Sequence, residues 1–260
     1  MAFLFLIIGL AILIGSGELL VKGAVNVAFK LRLTPLVVGM TVVSFGTSAP
    51  ELLVSIQSAL SNHPEIAIGN VVGSNVANLA LVLGLTVLIF PMKVERNTLI
   101  YDWPMMMIAT GLLYFAIQNQ NIEWYEGLGL FAGLIGFIFF IISKSRKGAE
   151  ETEFHVQKTD AVWIKDVLLI ITGCLGLAFG SKLLLDGAVS LAKDLGLSEH
   201  VIGVTIVAFG TSVPELVTSC VAAFKKQSDI SVGNLIGSNI FNIMAILGDR
   251  KSTRLNSSHQ

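Results

Sequence analysis

Glu51 and Glu215 are carboxylates set inside runs of otherwise apolar sequence, the setting in which an ionised group most needs a partner. Thr47, Ser48 and Ser55 lie three or four residues from Glu51, so the four share one face of a helix. Thr211, Ser212, Glu215 and Ser219 repeat the arrangement. Each set is broken by a proline, in Gly46-Thr47-Ser48-Ala49-Pro50 and again in Gly210-Thr211-Ser212-Val213-Pro214. Proline removes a backbone donor and clashes with the preceding turn, so carbonyls around Ser44–Thr47 and Ala208–Thr211 become available to a ligand. Two further faces supply Asn70, Ser74 and Asn78, and Asn234, Ser238 and Asn242, at four-residue steps.

This inventory holds carboxylates, hydroxyls, amide oxygens and carbonyls, with no His or Cys. An all-oxygen set suits the hard cations Ca²⁺, Na⁺ and Mg²⁺ rather than zinc or copper. Mg²⁺ keeps its waters, so a cage of protein oxygens favours Ca²⁺. Two ionised carboxylates in a bilayer cost several kcal/mol each, and one Ca²⁺ or two Na⁺ would cancel them. Such a balance suits exchange, although protons could also neutralise Glu51 and Glu215. Bland readings compete at several positions. Ser and Thr in membrane helices often bond their own backbone or a neighbour, and Gly69-x-x-x-Gly73 and Gly233-x-x-x-Gly237 fit close helix packing. Asn75 and Asn239 are expected to bond between helices. For the two glutamates the balance reverses, because residues 35–60, 66–90 and 230–248 contain no Lys or Arg.

The elements that hold these groups follow from composition. Hydrophobic residues make up 53% of the 260 and charged ones 13%, with a mean hydropathy of +0.77. That marks a polytopic membrane protein. A net charge of −1 offers no field for nucleic acid, and two cysteines in apolar runs make no disulfide framework. Eight segments are long enough to span, near 2–28, 35–60, 66–90, 98–118, 124–143, 162–192, 199–224 and 230–248. Lys and Arg gather after spans 1, 3, 5 and 7, while the loops after spans 2, 4 and 6 carry only Lys193. The positive-inside rule therefore sets the N-terminus outside.

The chain also says the same thing twice. Val38–Ser55 returns as Ile202–Ser219 and Ile68–Leu79 as Val232–Ile243, both at an offset of 164 residues. Span 1 then corresponds to span 6, and an odd number of crossings inverts the second copy. The expected fold class is all-α polytopic membrane protein with an inverted-topology repeat of five helices each, the second truncated to three. Residues 1–143 form the first half, 144–160 a cytoplasmic linker and 161–248 the incomplete second half. Residues 249–260 read as an unrelated polar tail.

GTSAPE with GNVVGSN, and GTSVPE with GNLIGSN, resemble the two alpha repeats of the sodium/calcium exchanger family, within the cation/calcium antiporters. The resemblance covers nearly all of residues 1–248. It implies ten helices in two inverted halves, with spans 2, 3, 7 and 8 enclosing the ions and spans 1 and 6 sliding across them. It implies Glu51 and Glu215 as central calcium ligands, helped by the carbonyls of Thr47 and Thr211. Sodium would add the hydroxyls of Ser48, Ser74, Ser212 and Ser238 and the carbonyls of Ser44 and Ala208, with Asn78 and Asn242 closing the middle. Some members carry Asp at one of these last two positions; two Asn lower the charge of the site, and the absence of Asp at 78 argues against potassium co-transport.

The expected function is a secondary antiporter, not an enzyme, exchanging Na⁺ for Ca²⁺ by alternating access in a prokaryotic cell (inner) membrane. It would need no cofactor beyond the transported ions and the lipid bilayer. A Ca²⁺/H⁺ or other divalent-cation exchanger is the alternative on the same fold. A channel would usually ring such oxygens in an oligomer, and a hydrolase built on Ser48 and Glu51 lacks a histidine. A smaller expectation concerns Glu18, Lys22, Lys182 and Asp186. The charges invert between repeats at the 164 offset, so each pair can neutralise itself within its helix, and Glu18 is expected to pair with Lys182 across spans 1 and 6.

Overall fold

Lipid cannot satisfy backbone polar groups, so apolar segments of this length must fold as helices. A computed structural model describes residues 2–61, 64–92, 94–118, 124–151, 163–198 and 208–246, and among these there is no strand. The tail 249–260, linker residues 152–160 and the first part of span 7 lie outside the described residues.

Span 1 is α1 (Ala2–Leu31). Span 2 is divided into α2 (Pro35–Val38), a π-helical turn over Gly39–Val43, α3 (Ser44–Thr47) and α4 (Ala49–Leu60). Span 3 is α5 (Pro64–Ala77), a second π segment over Asn78–Leu83 and α6 (Gly84–Ile89). Span 4 opens on a π turn over Thr98–Asp102 and continues as α7 (Trp103–Gln118). α8 (Trp124–Glu151), α9 (Trp163–Asp194), the short α10 (Ala208–Gly210), α11 (Val213–Phe224) and α12 (Ser228–Ile246) complete the order. α8 runs past Lys144, with helix continuing through Glu151.

Among the described residues four helices are each long and apolar enough to cross a membrane, and the bent pair Pro35–Thr47 and Ala49–Ser58 adds a broken fifth. The other three predicted spans are helical where described, Val213–Phe224 being a shorter apolar helix. The polarity is inside out. Phe3, Ile7, Leu88, Phe115 and Phe139 face outward, while Glu51, Glu215, Asn78, Asn234 and Asn242 are fully enclosed. Such an arrangement is stable only where lipid surrounds the protein.

α1 and α9 lie side by side along their length, antiparallel, at glycine contacts. A Cβ on Gly9 would come 2.7 Å from Leu184 N, and one on Gly173 would come 2.8 Å from Leu20 N. Such small residues let two backbones approach closely. The antiparallel register overturns the expected Glu18–Lys182 pair. Ser16 and Leu20 meet Gly176 and Gly173, so Glu18 is level with residue 174 or so. Lys182 is then about eight residues, or about 12 Å, further along the axis. Glu18 instead faces Lys225, with Oε1 and Nζ 3.5 Å apart. The two helices are tied by different residues: Asn26 donates to Asp166 Oδ1 at 2.7 Å, and Lys30 pairs with Asp166 Oδ2.

The glycine stripes also divide. A Cβ on Gly237 would come 2.5 Å from Met40 O, and Gly233 packs as tightly on Leu36 O. Among the described residues nothing lies within 4 Å of a Cβ placed on Gly69 or Gly73. The segment that the repeat places opposite them, around residues 200–204, lies outside the described residues.

Candidate functional site

Each proline breaks its helix one turn before the carboxylate. Ser48 and Ser212 hold matching non-helical conformations, φ −86°, ψ 2° and φ −87°, ψ 4°. The bend between Pro35–Thr47 and Ala49–Ser58 is 46°. Pro50 and Pro214 have no N–H, so the carbonyls of Gly46 and Gly210 lose their helical donors. Gly210 O instead accepts the hydroxyl of Ser181 on α9, at 2.9 Å. These breaks turn Glu51 and Glu215, first-turn residues of α4 and α11, into the centre of the molecule.

Two buried carboxylates meet there with few partners. Ser48 donates to Glu215 Oε1 at 3.0 Å, joining the two repeats directly. Glu215 Oε2 and both carboxylate oxygens of Glu51 have no hydrogen-bond partner among the described residues. The ion pairs Lys30–Asp166 and Lys225–Glu18 do not involve them. Two uncompensated negative groups with no exposure are costly, by several kcal/mol each, so the arrangement calls for a cation.

Two asparagines add one amide oxygen each to this buried set. Asn78 donates its amide to Asn239 Oδ1 at 3.2 Å, and Asn242 donates to Ser74 Oγ at 3.2 Å and to Asn75 Oδ1 at 3.3 Å. In both, the N–H side is held and the buried Oδ1 is left without a partner. Asn75 and Asn239 bond between helices, as expected, and orient this pair. Ser212 Oγ is likewise buried and unpartnered. Ser74 is engaged, donating to Asn70 O at 2.8 Å.

Other predicted ligands are occupied in this conformation. Thr47 uses its hydroxyl on Asn234 Oδ1 at 3.0 Å, with Ser238 Oγ at 3.4 Å, which leaves its carbonyl as the group to offer. Ser44 is partly engaged. Its carbonyl accepts the Ser48 N–H at 2.9 Å, and the Thr47 hydroxyl, whose single proton is directed to Asn234 Oδ1 at 3.0 Å, lies 3.3 Å away, so one lone pair remains to offer. Ser44 Oγ donates back to Met40 O at 2.6 Å. Ala208 opens α10, and Thr211 follows it at the break.

Sequence reasoning missed three features of the site. Thr218 on α11 and Ser231 on α12 are buried hydroxyls without partners among the described residues, and only their apolar context hinted at them. The π segments at Gly39–Val43 and Asn78–Leu83 border the ligand positions, as π turns often border functional sites. No residue pattern announces them, because the same side chains suit an α-helix.

The two repeats differ in what covers them. α1 packs along α11: a Cβ on Gly17 would lie 3.5 Å from Val217 Cγ1 and from Val221 Cγ2. Val213, Thr218, Ala222 and Ala223 are buried. On α4, Leu53 and Val54 stand where α11 has Val217 and Thr218, and they are 59% and 37% exposed.

A model of the sodium/calcium exchanger protein family matches residues 1–143 and 165–248. The sodium/calcium exchanger MaX1 of Methanosarcina acetivorans is 33% identical over 284 aligned positions, covering 95% of this chain and 81% of that protein. The inner membrane protein YrbG of Escherichia coli is 33% identical over 250, covering 94% and 77%. A solved sodium/calcium exchanger from Methanococcus jannaschii superposes with a TM-score of 0.83 at 30% identity, covering 97% of this chain and 81% of that one.

Proposed function

Because the chain belongs to the sodium/calcium exchanger family, and so is a multi-pass membrane cation/calcium antiporter, we propose that it exchanges Na⁺ for Ca²⁺ at the Glu51–Glu215 centre. One observation carries this reading: two enclosed carboxylates, one from each repeat, have three of their four oxygens without a partner among the described residues, and the amide oxygens of Asn78 and Asn242 are buried in the same state. Calcium takes Glu51 and Glu215 with the carbonyls of Thr47 and Thr211. Sodium adds the hydroxyls of Ser48, Ser74, Ser212 and Ser238 and the carbonyl of Ala208. The Ser44 carbonyl keeps one lone pair beside its bond from the Ser48 N–H and would offer it to sodium.

The chemistry around the carboxylates supports sodium over protons as the counter-ion. Hydroxyls and amide oxygens do not titrate in the physiological range but do coordinate a hard monovalent ion. Either one Ca²⁺ or two Na⁺ neutralises the pair, and holding both sets together would overcharge it. With the N-terminus outside, the bare α4 faces the exterior and α1 over α11 closes the cytoplasmic side. The site itself is enclosed in this conformation, and its thinner cover is on the exterior side.

The test is calcium binding by titration calorimetry on the purified protein, with and without Na⁺. Displacement of Ca²⁺ by Na⁺ at constant pH supports the exchange. Binding that ignores Na⁺ but weakens as protons are added would move the assignment to a Ca²⁺/H⁺ exchanger. Absence of calcium binding by a well-folded protein would overturn both.

A further inference from the structure

We infer that Asn70 and Asn234 are positioning residues that set the two carboxylates in place, although they share a helix face with the proposed ligands. The inference rests on the cation-site reading above. In repeat 1 the amide nitrogen of Asn70 donates to Glu51 O at 3.0 Å and to Ser55 Oγ at 2.9 Å. In repeat 2 that of Asn234 donates to Glu215 O at 3.5 Å and to Ser219 Oγ at 3.1 Å. The sequence separations, 19 and 15 residues, are the same in both copies. The same bracket is therefore built twice.

Its geometry explains what it does. Ser55 and Ser219 sit one helical turn beyond the glutamates, on the same face. One amide that grips both the glutamate carbonyl and the serine hydroxyl fixes the height and rotation of that turn. The carboxylate itself is untouched and stays free for an ion. Asn234 does more, because its Oδ1 accepts the Thr47 hydroxyl at 3.0 Å. It thereby locks the Thr47 carbonyl of repeat 1 to the carboxylate helix of repeat 2. Asn78 and Asn242, eight residues further along the same faces, also have the amide nitrogen held, but by Asn239, Ser74 and Asn75 rather than by the glutamate turn, and their oxygens have no partner among the described residues. One residue type serves two purposes, and what its nitrogen holds tells them apart.

The discriminating substitution is Asn234→Asp, nearly isosteric but unable to donate when ionised. A ligand oxygen would survive the change and gain charge, so a ligand role requires calcium to bind as well or better. A bracket would be broken, because a carboxylate oxygen would then face Glu215 O. Calorimetry at pH 8 is expected to show Ca²⁺ binding weakened at least about tenfold. The gap to the unsubstituted protein should narrow as pH falls, because a protonated Asp regains one donor. An ionised Asp buried at this position also burdens the fold, so the uncharged Ser219→Ala is the control that separates the bracket from a loss of stability. Ser219→Ala should weaken binding about threefold, and adding it to Asn234→Asp should cost nothing more. Asn70→Asp and Ser55→Ala should reproduce the pattern in the other repeat. If Asn234→Asp fails to fold, Ser219→Ala decides, and unchanged affinity there overturns the bracket. If the unsubstituted protein binds Ca²⁺ and Asn234→Asp binds it equally or more tightly, the bracket is wrong and the cation site stands. If the unsubstituted protein binds no Ca²⁺, both fall.

Discussion

α4 and α11 carry nearly the same message, Pro-Glu-Leu followed by a serine four residues after the glutamate, yet the protein treats them differently. α11 is covered by α1, and most of its residues are buried or half-buried. α4 has Leu53, Val54 and Leu60 exposed. The difference is absent from the motif and comes from the pair α1 and α9, which lies closer to one repeat than to the other. Ser181 occupies on α9 the place that Gly17 has on α1; it bonds Gly210 O and does not cover α4. A symmetric sequence thus holds an asymmetric conformation. Inverted repeats allow such an asymmetry, and on the exchange proposed above the two repeats would trade roles during transport.

The largest test of the comparison is at its centre, where the repeats should be equal. Glu51→Gln and Glu215→Gln each leave one charge where Ca²⁺ needs two, and each should weaken calcium binding at least about a hundredfold, given the strength of buried charge pairs. Calorimetry checks this. If only one substitution mattered, the site would belong to a single repeat.

Next in size is exposure. Leu53→Cys and Val217→Cys place thiols at equivalent positions, one open and one under α1. In sealed right-side-out vesicles a membrane-impermeant thiol reagent should modify the first at least about tenfold faster, by the access rule for thiols. Equal rates would mean that the two halves interconvert freely or that the orientation is wrong. A preference for Val217→Cys would reverse the assigned conformation.

A smaller asymmetry lies between the two serines. Ser48 donates to Glu215, whereas Ser212 Oγ has no partner among the described residues. Ser48→Ala therefore removes a charge-assisted hydrogen bond, and calcium affinity should change by about tenfold. Ser212→Ala should alter calcium affinity by less than about threefold and act chiefly on displacement by Na⁺. Calorimetry in two sodium concentrations separates them.

Much of this was legible before any coordinates. The duplicated Gly-Thr-Ser-x-Pro-Glu and Gly-Asn-x-x-Gly-Ser-Asn segments place oxygens on helix faces by spacing alone, and those faces do converge. Individual roles were not legible. Spacing puts Asn70, Ser74 and Asn78 together but cannot say which end of an amide is engaged. Ser44 was expected to offer its carbonyl, yet the Ser48 N–H still bonds to it, so Pro50 frees the carbonyl of Gly46 outright and leaves Ser44 with one lone pair. The Glu18–Lys182 pair failed for a geometric reason: equivalence under the repeat maps residues to opposite ends of antiparallel helices, not to neighbours. The true tie between α1 and α9, Asp166 with Asn26 and Lys30, has no counterpart at the 164 offset, where Ala2, Ser190 and Asp194 stand. A symmetry-based reading could not find it.

Glu18 and Lys225 give the finest test of the comparison. This pair joins α1 to the end of α11 and so holds the closed side closed, but both side chains are substantially exposed, at 52% and 38%. Exposed pairs contribute about 0–1 kcal/mol and less at high salt. Glu18→Gln should therefore shift the balance between the two conformations by less than about fivefold. The shift should favour opening over α11, seen as faster labelling of Val217→Cys and slower labelling of Leu53→Cys in the same protein. It should fade as ionic strength rises. A shift far larger than this would mean that the two helices are held apart by charge rather than by the apolar contact of Gly17 with Val217 and Val221. Labelling that stays unchanged at low salt would leave that apolar contact as the whole of the closure.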